Sequence, residues 1–422
     1  VKVVCVGGGP AGLYLSILLK RQDPSHDITV HERDPEGSTY GWGVTYWREL
    51  LDRLHEHDPQ SARALGEHSV SWHEGVAHLR GLTTRHHGDQ GFGIGRHRLL
   101  EILAARARAL GVRLEYERGI TDGAVPDTDL VVAADGVHSA LRTRHARHFG
   151  TETRTGRNRY AWLGTTKVFD SFTFAFLETG HGWIWCYGYP YGPDRSTCVV
   201  ECAPETWTGL GLDRAGGADG LALLEELFAG VLDGHRLIGR EAADGGAQWS
   251  AFRTLTNRTW SRENLVLIGD AAHTTHYSIG AGTTLALEDA VALAGALRAH
   301  PVLPQALARY ERERRAALLP VQSAARYSAQ WYENLPRYVH LPPRQMFALL
   351  GQRHSPLLPH VPPRLYYRLD RVAGQSAALR RFKRWLGPKV ASGVHTRMLS
   401  ARTRPEHHGG ARFRPWSSRV AD

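Results

Sequence analysis

The sequence predicts an α/β (α+β) fold: a parallel-sheet domain interleaved with an antiparallel-sheet domain, then a helical C-terminal region. Three patterns predict it. A short apolar strand, a glycine turn and a helix open the chain. Apolar runs of the same kind recur near residues 130 and 265. Between those two, residues 158–202 place aromatic side chains at period two, the spacing of a sheet face.

Residues 2–6 (Lys-Val-Val-Cys-Val) suit a strand buried on both sides. Gly7 to Gly12 make the turn, and residues 13–21 have helical spacing. Residues 28–32 form a second strand ending in Glu32. Residues 96–110 read as an amphipathic helix with Leu99, Leu103, Ala107 and Leu110 on one side. Residues 129–133 form an apolar strand stopped by Asp135-Gly136. In the aromatic segment Phe172, Phe174, Phe176 and then Trp183, Trp185, Tyr187, Tyr189 alternate. Residues 265–268 form another buried strand, running into Gly269-Asp270, and a long helix follows Gly280-Ala281-Gly282. Residues 303–334 read as mostly helical, interrupted at Pro320.

Strands at residues 2, 28, 130 and 265 share one sheet on this reading, so the domains are discontinuous. Residues 1–75, 93–155 and 256–300 form the first domain. Residues 76–92 and 156–255 form the second. Residues 301–399 are the helical region, and 400–422 a basic flexible tail.

Composition bounds the function. The 422 residues are 42% hydrophobic and 22% charged, which excludes wholesale disorder. No apolar run approaches the roughly 18 residues of a membrane helix, and no signal peptide is legible. These features predict a cytoplasmic protein with no membrane partner. The net charge is +10, but residues 371–422 hold 12 Lys and Arg against 2 Asp and Glu. The rest of the chain is balanced, which argues against a nucleic-acid partner. Four cysteines exclude a disulfide scaffold. Buried thiols are the reading, with a Cys186–Cys198 disulfide between neighbouring strands as the alternative. No metal is expected, because the histidines and cysteines lack ligand spacing.

Gly7-x-Gly9-x-x-Gly12 lies between a strand and a helix. Gly7 permits the tight turn, Gly9 lets the backbone approach a pyrophosphate, and Gly12 allows close packing of the helix. Glu32 stands where a carboxylate accepts hydrogen bonds from ribose hydroxyls. Together they predict a dinucleotide site.

Two later motifs specify it: Asp129-Leu-Val-Val-Ala-Ala-Asp135-Gly136, with Ser139 and Arg142, and Gly269-Asp270-Ala-Ala-His273, with Gly280-Ala281-Gly282-Thr283 and Glu288-Asp289. With these the sequence resembles the class A FAD-dependent aromatic monooxygenases, the para-hydroxybenzoate hydroxylase superfamily. His276-Tyr-Ser-Ile-Gly-Ala-Gly-Thr is similar to the loop of salicylyl-CoA 5-hydroxylases, aminobenzoyl-CoA monooxygenases and the violacein-pathway hydroxylases. Gly41-Trp42-Gly43-Val44, Trp162-Leu-Gly164-Thr165-Thr166, Val199-Val200-Glu201-Cys202 and Tyr332-Glu333-Asn334-Leu335 share the likeness. The sequence departs from the wider family at Tyr277-Ser278-Ile279, where a proline is usual, and at Ala281, where a glutamine is usual.

The resemblance implies an FAD-binding Rossmann-like domain and an antiparallel-sheet substrate domain. It implies FAD contacts at Gly7, Gly9, Pro10, Ala11, Gly12, Glu32, Arg33, Gly43, Val44, Arg96, Asp135, Gly136, Gly269, Asp270, Gly280, Ala281, Gly282 and Thr283. Asp270 falls on the ribityl chain, and the helix after Gly280 points its N-terminus at the flavin. No second strand–glycine–helix unit exists, so NADPH or NADH is expected as a transient reductant. The chemistry implied is hydroxylation of an electron-rich aromatic substrate with O2, through a C4a-hydroperoxyflavin. An aryl-CoA thioester of the salicylyl or anthraniloyl kind is the leading substrate. A free aromatic or indole-type secondary metabolite is the alternative, and a flavin reductase that does not use O2 is the rival class. His276 is the candidate catalytic base, against a structural histidine bonded to backbone. Trp162, Tyr187 and Tyr189 are the candidate substrate wall, against packing in the sheet. A monomer or homodimer is expected.

Overall fold

The computed structural model describes residues 1–39, 41–120, 128–239 and 246–375. The expected tail, and the end of the helical region, lie outside these residues.

Six strands form the first sheet, in the order Ser261–Arg262, Leu265–Leu267, Leu130–Ala133, Lys2–Val6, Asp27–His31, Arg113–Glu115. All neighbours are parallel except the pair formed by the first two. The central strands are buried on both faces, as their unbroken apolar runs require. Helices Pro10–Gln22 and Gly282–Ala299 pack against each other and carry the core with Leu13, Leu15, Ile17, Leu287, Leu293 and Leu297.

The second sheet has nine strands. Its order is Leu237–Ile238, Glu152–Thr165, Ser196–Cys202, Gly182–Pro190, Phe172–Thr179, Val70–Leu79, Leu82–Gly95, Gly43–Trp47, with Trp249–Thr256 also paired to Glu152–Thr165. It is antiparallel apart from one parallel pair, Val70–Leu79 with Phe172–Thr179. The N-terminal contribution is larger than the expected residues 76–92. Gly43–Trp47 and the whole hairpin from Val70 to Gly95 belong to this sheet. Their glycines and histidines gave no apolar signal, because pairing here rests on backbone bonds and on aromatic neighbours such as Trp72.

The period-two reading of the aromatic segment holds. On Gly182–Pro190, Trp185, Tyr187 and Tyr189 share one packed face, while Ile184 and Cys186 share the other with Leu224 and Phe228. The aromatic face is covered from the C-terminal region by Trp331, Tyr332, Tyr338, Leu349 and Leu350. Trp185 stacks on Tyr332 with centroids 5.8 Å apart. Cys186 and Cys198 are free buried thiols, so the disulfide alternative is not formed. Among the described residues no helix is long and apolar enough to cross a membrane.

The expected interruption at Pro320 is absent. One helix runs from Leu303 to Glu333 with Pro320 inside it. Proline removes one backbone hydrogen bond and crowds the preceding turn. Buried side chains on both sides, Tyr310 and Leu318 before it and Tyr327 and Trp331 after it, hold the two halves in line. Pro320→Ala is therefore expected to stabilise the protein, by up to about 3 kcal/mol. A higher midpoint of thermal unfolding, with unchanged circular dichroism, is the outcome to look for. A lower midpoint would mean that the proline sets a helix direction the packing needs.

Candidate active site

The glycine turn has the geometry that its spacing predicts. Gly7 has φ +111°, and a Cβ there would sit 2.3 Å from the Ala134 carbonyl oxygen. A Cβ at Gly12 would sit 2.3 Å from the Gly7 carbonyl oxygen, so Gly12 is a packing position under the turn. Gly9 differs, since a Cβ there would meet nothing within 4 Å. It caps helix Pro10–Gln22 with no side chain on the helix N-terminus. That leaves backbone N–H groups open to an anion. Glu32 accepts from Gly8 N at 2.7 Å and from Asp34 N at 3.0 Å, which fixes its carboxylate beside the turn.

Asp135 Oδ2 accepts from Ala140 N at 2.9 Å, while its Oδ1 is buried with no hydrogen-bond partner among the described residues. Burial holds its carboxyl above the ordinary aspartate range, against the pull of Ser139 and backbone N–H groups. Asp270 is exposed toward the cavity. Its backbone is held from below by Asp289, which accepts from Gly269 N at 2.9 Å, from His273 Nε2 at 2.9 Å and from Arg314 Nε at 2.7 Å. Helix Gly282–Ala299 starts from Ala281 with no side-chain cap, a second open N-terminus on the same cavity. Gly280 has φ +64°, and a Cβ there would meet Thr45 Oγ1 at 2.5 Å. The loop is thereby pressed against strand Gly43–Trp47 of the other sheet. Two open helix N-termini, three acids beyond strand ends (Glu32, Asp135 and Asp270) and a bare Gly9 cradle are a donor and acceptor set that fits FAD.

One cavity of about 1490 Å³ joins these groups to the aromatic sheet face. It exceeds the roughly 300–1,000 Å³ of a pocket for one small ligand. At the sheet end Tyr160, Trp162, Phe172, Tyr187, Tyr189 and Tyr277 line it. Tyr187 and Tyr189 stack on Phe172 with centroids 6.0 Å and 5.3 Å away. Trp162 Nε1 and the Tyr187 hydroxyl are buried with no hydrogen-bond partner among the described residues. Tyr189 is used differently, because its hydroxyl donates to the Gly43 carbonyl at 2.9 Å. Trp42 Nε1 donates to the Trp162 carbonyl at 3.2 Å, so the loop before Gly43 is pinned to the sheet at two points.

All the sequence-predicted site residues line this cavity except Gly12 and His276. His276 caps the short turn Tyr277–Ile279, its Nδ1 2.8 Å from Ser278 Oγ and accepting from Ser278 N at 3.3 Å. Burial, helped by the Arg353 charge, lowers its pKa to about 3, so the ring is neutral at ordinary pH. Three participants escaped the sequence reading. Tyr277 lines the cavity and donates to Glu201 Oε2 at 2.8 Å. Glu201 is 1% exposed, and its signal was an acid inside an otherwise apolar strand. Arg353 lines the cavity and donates to the Ser278 carbonyl at 2.9 Å and to Ser328 Oγ at 3.1 Å. It lies in a region with no legible motif.

A family described as an FAD binding domain matches residues 122–323. A 3-hydroxy-4-methyl-anthranilyl-[aryl-carrier protein] 5-monooxygenase of Streptosporangium sibiricum is 40% identical, over 80% of this chain and 90% of that one. A salicyloyl-CoA 5-hydroxylase of a Streptomyces species is 38% identical, over 80% of this chain. The match spans 66% of that relative's length. The fold is shared with 2-methyl-3-hydroxypyridine-5-carboxylic acid oxygenase, at a TM-score of 0.66 and 20% identity over 79% of this chain and 91% of that one. On these likenesses, and on the cavity that joins a dinucleotide cradle to an aromatic wall, the chain belongs to the FAD-dependent aromatic monooxygenases.

Proposed function

We propose that this protein hydroxylates the ring of a hydroxy- or aminobenzoyl thioester, with NADPH or NADH as the transient reductant. The observation that carries the reading is the single cavity with the flavin loop at one side and six aromatic rings at the other. Bound and reduced FAD supplies electrophilic oxygen from O2, and the protein's share is orientation and exclusion of water. Gly9 and the N-terminus of helix Pro10–Gln22 hold the pyrophosphate, Glu32 the ribose, and Asp270 the chain leading to the ring system. The N-terminus of helix Gly282–Ala299 favours negative charge on the ring that lies against it.

Tyr160, Trp162, Phe172 and Tyr187 form one wall for the flat substrate ring. The unpartnered Trp162 Nε1 and Tyr187 hydroxyl meet its polar substituents. The thioester, rather than a free acid, is favoured by the two relatives above, which by name act on CoA and carrier-protein esters. Strand Trp249–Thr256 supports it, since Ser250, Ala251 and the exposed Arg253 also line the cavity and offer a polar track for an extended arm. A guanidinium there suits a phosphate on that arm.

Two measurements test this. The FAD-loaded protein, given salicyloyl-CoA, anthraniloyl-CoA and the free acids, is expected to accelerate NAD(P)H oxidation with a thioester and return a product heavier by one oxygen atom. Stimulation by a free acid alone would move the substrate to a free aromatic metabolite. Rapid flavin reduction with no oxygenated product from any of them would favour a reductase. For the cofactor, Asp270→Ala is expected to weaken FAD binding about 10- to 100-fold, the loss of charge-assisted hydrogen bonds. Thermal unfolding of the cofactor-free protein should not move, because this exposed carboxylate lies outside the packed core.

A further inference from the structure

Glu201 is a buried carboxylate at the substrate end with no ion-pair partner among the described residues. Its hydrogen bonds come from neutral donors: Asn158 Nδ2 to Oε1 at 2.7 Å and the Tyr277 hydroxyl to Oε2 at 2.8 Å. A carboxylate stripped of water and left without a cation is costly, so its presence needs a reason. Burial pushes it up to about 7, against the pull of Asn158 and Tyr277, with Glu333 adding like-charge repulsion. Such a group takes and returns a proton near neutral pH.

Tyr277 connects that carboxylate to the cavity. It lines the cavity, its ring 4.4 Å from Tyr160 and 6.4 Å from Tyr187. It also opens the turn that leads into the flavin loop. The titratable and charged groups facing the pair come from every neighbouring element. Tyr160 and Tyr187 come from the sheet, Tyr332 and Glu333 from the long helix, Arg353 from beyond helix Pro343–Gly351, and Cys202 from Glu201's own strand. Burial pushes Tyr187 and Tyr277 well above the ordinary tyrosine range and Cys202 to about 12.

We propose that Glu201 receives the proton of the substrate's ring hydroxyl through Tyr277. The substrate O–H bond breaks as its proton passes to Tyr277 Oη. The proton that Tyr277 held passes to Glu201 Oε2. Two bonds to hydrogen break and two form, and the negative charge moves from the carboxylate to the substrate oxygen. The phenolate so formed is the electron-rich ring that electrophilic oxygen needs. The transfer rests on the reading that the substrate is a hydroxyaryl compound, and it concerns the ring substituent rather than the thioester.

The test uses the FAD-loaded wild type, Glu201→Gln and Tyr277→Phe, each with salicyloyl-CoA and with salicylate. Product formation in the wild type is expected to fall as pH drops through about 7, since the protonated carboxyl cannot accept. Both variants should form product roughly 100-fold more slowly. Their FAD content should stay as in the wild type, ligand affinity should stay so in Glu201→Gln, and the neutral limb of the pH profile should be lost in both. The double variant should be no slower than either single one, as for groups acting in series. Variants that keep the wild-type rate and profile would overturn the proposal. If neither ligand is turned over by the wild type, the substrate reading fails, and the pair is judged by infrared titration of the FAD-loaded protein. A carboxyl signal that titrates near neutrality, vanishes in Glu201→Gln and moves in Tyr277→Phe upholds the coupling. A carboxylate ionised across that range overturns it.

Discussion

The buried charge on Asp289 ties the Gly269 turn, the segment before the flavin loop and the long helix together. Asp289 has no exposed surface, and burial alone would push its carboxyl up, yet His273 and Arg314 hold it below the ordinary aspartate range. Each of its bonds reaches a different element. Gly269 N belongs to the turn that presents Asp270, His273 to the segment leading to the flavin loop, and Arg314 to the long helix. An uncompensated charge at that depth costs about 3–5 kcal/mol when a partner is removed. The turn, the loop and the helix are therefore fixed relative to one another by one side chain on helix Gly282–Ala299. Arg314 also pairs with Glu288 at 3.2 Å, so the same helix holds the same cation twice.

The consequence travels along the long helix. Arg314 fixes it at the cofactor end, and more than three turns later the same helix delivers Ser328 to the turn Tyr277–Ile279 and Trp331 and Tyr332 to the aromatic face. Ser328 Oγ lies 2.7 Å from Ser278 Oγ, and Arg353 bonds to both residues. The turn Tyr277–Ile279 is thus clamped from the C-terminal region. Hydroxyl and guanidinium contacts stiffen it, and its first residue, Tyr277, lines the substrate end of the cavity.

Legibility in the sequence followed the range of the forces involved. The glycine turn was readable because its demands are local: a positive φ at Gly7 and contacts at Gly7 and Gly12 that no Cβ tolerates. The aromatic face was readable because period two is enforced residue by residue along a strand. The contribution of Gly43–Trp47 and Val70–Gly95 to the second sheet was not, since cross-strand backbone pairing leaves no mark on composition. Pro320 misled for a related reason: the local rule against proline was outweighed by packing contacts distant in sequence. His276 was singled out by its nearness to the loop, but what a histidine does depends on where its nitrogens point, and here Nδ1 is turned back onto Ser278.

Glu201 shows the same limit from the other side. Its strand, Ser-Thr-Cys-Val-Val-Glu-Cys, is buried throughout, and a lone acid in such a run contradicts the pattern around it. The contradiction was visible, but its resolution was not. The partners that satisfy Glu201 lie 43 and 76 residues away, on strand Glu152–Thr165 and in the turn Tyr277–Ile279. Those two elements meet where Tyr277 packs on Tyr160, and the turn is held there by Ser328 and Arg353. A carboxylate kept from water, with a tyrosine between it and the cavity, is therefore a product of the whole assembly.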